Sequence, residues 1–150
     1  MRGMGARQLV LDIYNVNEEA TKAAVEKYLL QAREYKITEY IPEEATITAS
    51  YSDMPRSYTG LTSDQTFELA QRNVDEQARR RRHIERTEKA ISRLGARQRK
   101  LVELRYMLDD DTLDCNVACD LGYSERHYRR IKSIAIFRLA SMLGLMVFDE

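Results

Sequence analysis

The sequence is poor in the residues that build metal centres and disulfide-stapled folds, with only two cysteines and two histidines among its 150 residues. Cys115 and Cys119 are four residues apart. A zinc site there would need further ligands, and His83 and His127 are the only histidines available. Two reduced thiols in an intracellular protein are the simpler interpretation. We therefore expect no metal and no other cofactor.

Long apolar runs are also missing. No segment approaches the roughly 20 residues of a membrane span, and the N-terminus has no apolar signal-peptide core. The acidic run of Asp109, Asp110, Asp111 and Asp114 lacks the central glycine and terminal glutamate of an EF-hand calcium loop. We expect these carboxylates to cap a helix that begins near Thr112. The expected protein is soluble and intracellular, with no membrane partner.

Catalytic patterns are absent as well. The sequence has no paired histidine and carboxylate and no glycine-rich phosphate loop. It therefore predicts a binding protein and not an enzyme.

Charge is balanced overall but unevenly placed. Residues 1–78 hold 8 Lys/Arg and 13 Asp/Glu, a net −5, whereas residues 79–150 hold 16 and 11, a net +5. A basic half is what a polyanionic partner requires.

That basic half contains the most informative stretch, Asp111–Gly144. Its pattern predicts two short helices at 112–144 whose apolar positions agree in register. Val117, Ala118 and Leu121 fall on one face of the first helix, and Tyr128 and Ile131 point back from the second. The helices can cross closely at the small side chain of Ala118. The pattern indicates a DNA-binding helix-turn-helix.

The turn and cap residues of this unit agree with the same interpretation. Gly122 supplies a turn in which φ is positive, which costs glycine little. Ser124 is a good N-cap for the second helix, because its hydroxyl can accept from a free backbone N–H. Gly144 is expected to end that helix.

The second helix, predicted from Ser124 to Phe137, is rich in cations. It contains four cations but only one acid, Glu125. The cations are Arg126, Arg129, Arg130 and Lys132. An arginine fork matches the two acceptors of guanine, whereas other cations position the protein on phosphates. The alternative is an ordinary helical hairpin with a basic solvated face. The residues predicted to contact bases are Ser124, Glu125, Arg126, Arg129, Arg130 and Ser133. The residues predicted to contact phosphates are Arg97, Lys100, His127 and Lys132.

The remaining chain is predicted to be helical on both sides of a linker. An N-terminal helical segment lies within residues 1–40, with a helix at about 17–36, and a linker at 41–63 contains both prolines. A long helical stretch from about residue 64 to 94 is either one helix or kinked near 79–83. A further helix at 97–108 would place Leu101, Leu104 and Leu108 on one side. The fold class is all-α, with residues 64–150 as the DNA-binding domain.

Two features stay open on sequence grounds. The run Arg79–Arg82 with His83 could bind phosphate, but a solvated helix face explains it about as well. The apolar tail Leu145–Phe148 should pack on its own domain, or else contact an oligomer partner or a polymerase.

The C-terminal half resembles a known family. The string AISRLGARQRKLVELRYML, followed by LGYSERHYRRIKSIAIFRLASMLG, resembles the ArpU family of phage transcriptional regulators. The matching positions are Arg97, Arg99, Arg105 and Tyr106, then Gly122–Arg126, Tyr128, Arg130–Lys132 and Ala135–Gly144. The same segment is similar to the sigma-factor region that reads the −35 promoter element. Gly95-Ala96 departs from the Pro-Glu that is common before the arginine-rich helix.

The resemblance implies a sigma-region-4-like helix-turn-helix that binds double-stranded promoter DNA. It implies an activator of late packaging and lysis genes, acting in the cytoplasm of a bacterial host at the nucleoid. Host RNA polymerase and a second copy of the chain are candidate partners. Two alternatives remain: a small terminase subunit that binds DNA for packaging, and a sigma-like initiation factor.

Overall fold

The computed structural model describes residues 15–45, 64–109 and 111–149. Positions 46–63, which make up most of the predicted linker, lie outside the described residues. The described residues form the expected all-α fold. Its elements in chain order are α1 (Glu18–Ile37), α2 (Asp64–Ser92), α3 (Ala96–Val102), a π-helical turn (Glu103–Met107), α4 (Asp114–Leu121) and α5 (Glu125–Leu143).

All of these elements contribute to a single apolar core. The N-terminal helix α1 therefore folds together with the helix-turn-helix and is not a separate appendage in the part of the chain that is described. The core side chains include Val25, Leu29, Ile91, Leu94, Leu101, Val102, Tyr106, Val117, Tyr128, Ala135, Leu139 and Leu143.

Helix α1 begins where its sequence predicts. The Asn17 side chain accepts a hydrogen bond from the Ala20 N–H at 2.9 Å, and Glu18 and Glu19 follow in the first turn. Val25 and Leu29 are fully buried. A cap, acidic first-turn residues and an apolar stripe four residues apart are sufficient to explain this helix.

The C-terminal tail pairs with the start of α1. The Asn17 N–H donates to the Val147 oxygen at 2.8 Å, and the Asp149 N–H donates to the Asn15 oxygen at 2.8 Å. Val16 and Phe148 form an antiparallel bridge between them. The prediction that the apolar tail packs on its own domain is confirmed.

Helix α2 is a single helix, which resolves the choice between a continuous and a kinked stretch. Its C-terminal half packs into the core through Thr87, Ala90 and Ile91. Its N-terminal half leaves Phe67 and Val74 largely exposed.

The helix predicted at 97–108 ends in a π-helical turn. A π turn takes more residues than an α turn, so it rotates the side chains that follow it. Leu101 is buried, but Leu108, expected on the same side, is 69% exposed. The Arg33 guanidinium from α1 binds the carbonyls at this helix end, donating to the Asp109 oxygen at 2.8 Å and the Tyr106 oxygen at 3.5 Å.

Candidate nucleic-acid interface

The turn between α4 and α5 has the geometry that its residues predict. Gly122 adopts φ = 68°, and the Tyr123 N–H donates to the Ala118 oxygen at 2.9 Å. The Ser124 hydroxyl accepts from the His127 N–H at 3.3 Å and caps α5. Tyr128 is buried between the two helices. The predicted helix-turn-helix arrangement of two packed helices is present.

The predicted side-chain cap of the first helix by a carboxylate is absent, although Asp114 does lie in its first turn, near the positive end of the helix. Helix α4 begins at Asp114, and its N-cap is Leu113, which makes no side-chain hydrogen bond. The Asp114 carboxylate is instead engaged across the helix pair. It accepts from Arg105 Nε at 2.8 Å, from the Tyr128 hydroxyl at 2.9 Å and from Lys132 Nζ at 2.9 Å.

This network changes the assignment of Lys132. The residue is only 7% exposed, and its ammonium also lies 3.6 Å from Glu26 of α1. A buried cation already neutralised by two carboxylates is not available to a phosphate. Lys132 is therefore not available as the phosphate contact that was predicted. It links α1, α4 and α5 inside the protein.

The network also fixes ionisation states. Partial burial acts to raise the pKa of Asp114, but the hydrogen bonds from Lys132, Arg105 and Tyr128 outweigh it and lower this pKa to about 2. Burial and the hydrogen bond to Glu26 raise the pKa of Tyr106 well above its usual range. Asp114 is thus an anion and Tyr106 a neutral donor at every physiological pH.

The cationic face of α5 is open to solvent at its N-terminal end. Arg126, Arg129 and Arg130 are all exposed. Arg130 lies about 40° and Arg129 about 60° from Arg126 around the helix, so Arg126 can share a face with either of them. Arg129 forms a solvent-exposed ion pair with Glu125. This pair favours Arg130 over Arg129 as the second arginine beside Arg126.

One flank of this face has balanced charge. A cleft of about 360 Å³ separates α5 from the start of α1. Its lining combines three carboxylates with three cations: Glu18, Glu19 and Asp114, and Lys22, Arg129 and Lys132. Ser133 is exposed at the rim of this cleft. With no net charge in its lining, this flank does not itself attract a phosphate backbone.

The opposite flank is basic. The Arg138 guanidinium donates to Gln98 Oε1 at 2.9 Å, which joins the first turn of α3 to α5. Arg97 and Lys100 are exposed on α3, as the phosphate-contacting prediction requires. His127 is half-buried with its ring edge-on to Tyr123, the centroids 4.9 Å apart.

Two of the four arginines in the run on α2 form ion pairs within the chain. Arg79 and Arg80 both pair with Glu76, whose pKa their hydrogen bonds lower to about 2. The His83 ring stacks on Tyr28 with centroids 3.9 Å apart, and its Nε2 lies 3.0 Å from the Tyr28 oxygen. The run is thus divided: Arg80 and His83 contact neighbouring helices or segments, and Arg81 and Arg82 lie on a solvated face of the helix, as the alternative interpretation expected.

One further residue belongs to the basic flank. Arg138 is exposed and lies eleven residues, or about three turns, beyond His127 on the same side of α5. Helical periodicity alone could have identified it. The Asp114–Lys132 pair joins residues 18 apart on different helices, and no local pattern predicts such a contact.

Comparison of the chain with family models, with curated proteins and with solved structures found no match. Among the described residues, no helix has the length and apolar character needed to cross a membrane.

Proposed function

We propose that this protein is a sequence-specific duplex-DNA-binding transcriptional regulator that inserts α5 into the major groove. The observation that carries the proposal is the exposed Arg126 and Arg130 pair on the first turns of the second helix of a helix-turn-helix. The first turns of such a helix are the part that reaches base edges. Each arginine presents a planar fork that matches guanine O6 and N7.

The basic flank supports one orientation on the duplex. In this orientation Arg97, Lys100 and Arg138 face the DNA backbone, and the charge-balanced cleft beside the start of α1 lies away from it. Arg138 lies twelve residues from Arg126, about 18 Å along the helix axis. Phosphate contacts at one end and base contacts at the other would fix the register of α5 in the groove.

The resemblance to the ArpU family and to the −35-reading region of sigma factors suggests the biological role. We propose an activator of late phage packaging and lysis genes, with host RNA polymerase as a partner. The apolar tail pairs with the start of α1 but leaves Phe148 48% exposed.

The test is selection of bound duplexes from a random pool with the full chain. The proposal predicts a recurring motif that contains guanines and a selected duplex bound at least 100-fold more tightly than its scrambled version. The double variant Arg126→Ala/Arg130→Ala should lose the motif. The double variant Arg81→Ala/Arg82→Ala makes the same charge change on exposed residues of α2 and should recover it. A pool without enrichment would overturn the proposal.

A further inference from the structure

The N-terminal half of α2 presents an apolar face that the described residues leave uncovered. Phe67 is 70% exposed and Val74 is 64% exposed. Ala70 is also exposed and Ala78 is half-buried. These four residues recur at three- and four-residue spacing, so they form one continuous stripe about 18 Å long.

The other side of this half-helix is already occupied by the chain itself. The Asn73 side chain accepts from the Glu43 N–H at 3.2 Å, donates to the Glu43 oxygen at 3.0 Å and accepts from the Tyr40 hydroxyl at 2.9 Å. Arg80 lies over the Tyr40 ring, 4.9 Å from its centroid. Residues 38–45, the described part of the segment after α1, thus pack on one side of α2, away from the apolar stripe.

The charges beside the stripe indicate what covers it. Glu68, Arg72, Asp75 and Arg79 follow one flank and are all exposed; Arg79 also donates to Glu76 of its own helix. If two copies of α2 pack antiparallel about an axis near Val74, this flank of one copy meets the same flank of the other, so that Glu68 faces Arg79 and Arg72 faces Asp75. In a parallel pair it would meet the opposite flank, where Asn73 and Arg80 already contact the segment after α1. The charges and the occupied flank therefore favour the antiparallel arrangement.

We propose that this face binds the same face of a second copy of the chain, as an antiparallel helix pair with a two-fold axis near Val74. Val74 of one copy packs against Val74 of the other, and Ala70 of one copy packs against Ala78 of the other. Because the helix pair is short, we expect a weak dimer whose population rises with protein concentration. The proposal is independent of DNA binding, because none of these residues belongs to the candidate interface on α5.

Sedimentation equilibrium of the full chain tests association. The mass should rise with concentration from 17.5 kDa towards twice that value. Val74→Glu and Phe67→Glu should each weaken dimerisation at least tenfold. Leu108→Glu is the matched control, since Leu108 is an exposed apolar residue away from the stripe, and it should leave the dimer intact. Circular dichroism checks that each variant is folded.

A monomer at every concentration would overturn the proposal. The stripe would then face solvent or be covered by another segment of the same chain. A ring-sized mass, or a dimer indifferent to Val74→Glu, would do the same.

Disulfide trapping tests the orientation. In a Cys115→Ser/Cys119→Ser background, Val74→Cys should form a covalent dimer under mild oxidation, because the two equivalents meet at the axis. Arg81→Cys should not, because antiparallel equivalents seven residues from the axis are about 21 Å apart. Efficient trapping at both positions would indicate a parallel pair and contradict the proposed arrangement.

Discussion

At the scale of single residues, Arg129 and Lys132 illustrate how neighbouring cations on one helix acquire different roles. Arg129 is 74% exposed and pairs only with a surface glutamate, Glu125. Lys132 lies one turn of the helix later, where the inward rotation brings it between Asp114 and Glu26. Charge counting on the sequence treats the two as equivalent. Their roles differ because α1 packs over α5 and brings Glu26 to Lys132. That packing depends on contacts between residues far apart in the sequence.

Asp114→Asn tests the internal network. The substitution removes the charge partner of buried Lys132, so we expect a loss of about 1–2 kcal/mol in the free energy of unfolding at pH 7, a figure that allows for the partial exposure of Asp114. Urea unfolding followed by circular dichroism measures it. Glu125→Gln, which removes a fully solvated ion pair, is the control and should change stability by less than about 0.5 kcal/mol.

The same network predicts a pH dependence. The pKa of Asp114 is lowered to about 2 in the folded protein, below the roughly 3.9 of an unfolded aspartate. Its contribution is therefore complete above about pH 4 and is lost as pH falls towards about 2. The stability difference between wild type and Asp114→Asn should shrink across that window. A difference that stayed constant down to pH 2 would show that the charge of Asp114 is not responsible.

At the scale of elements, the turn between α4 and α5 follows from its own residues. Gly122 has φ = 68°, and a Cβ added there would meet no heavy atom within 4 Å. The cost of Gly122→Ala is therefore backbone strain alone, about 1–2 kcal/mol. Gly95 has φ = −59° and is the N-cap of α3, so Gly95→Ala introduces no left-handed strain and loses only the N-cap preference for glycine over alanine, about 0.5 kcal/mol. Thermal unfolding compares the two, and equal effects would remove the special role of the turn.

The elements differ in how far the sequence could predict them. Caps and turns such as Asn17, Gly122 and Ser124 act within four residues, and local chemistry identified each of them. The π-helical turn at Glu103–Met107 was not predicted, because it depends on Arg33 binding the carbonyls at its end and on Arg105 reaching Asp114. Among the arginines proposed to contact bases, the preference for Arg130 over Arg129 rests on the Arg129–Glu125 ion pair within α5, a contact that the four-residue spacing permits but does not require.

At the scale of the whole molecule, α1 and the C-terminal tail hold the helix-turn-helix in a single folding unit. Leu29 is fully buried in the shared core, whereas the neighbouring Leu30 is 37% exposed. Leu29→Ala should cost about 2–4 kcal/mol and lower the stability of α4 and α5 together with α1. Leu30→Ala should cost less than about 1 kcal/mol. If Leu29→Ala melted α1 in a separate, earlier transition, α1 and the helix-turn-helix would be independent units.

The central claim is that α5 reads base pairs through the exposed pair Arg126 and Arg130. The most direct measurement is the ratio of affinities for the selected duplex and a scrambled duplex, taken at several salt concentrations. Arg126→Ala should lower this ratio by about 10-fold or more, from the loss of about 1–3 kcal/mol of base discrimination. Lys100→Ala should weaken both duplexes alike and reduce the salt slope by about 1. If Arg126→Ala left the ratio unchanged and weakened both duplexes as Lys100→Ala does, α5 would not be the element that reads sequence.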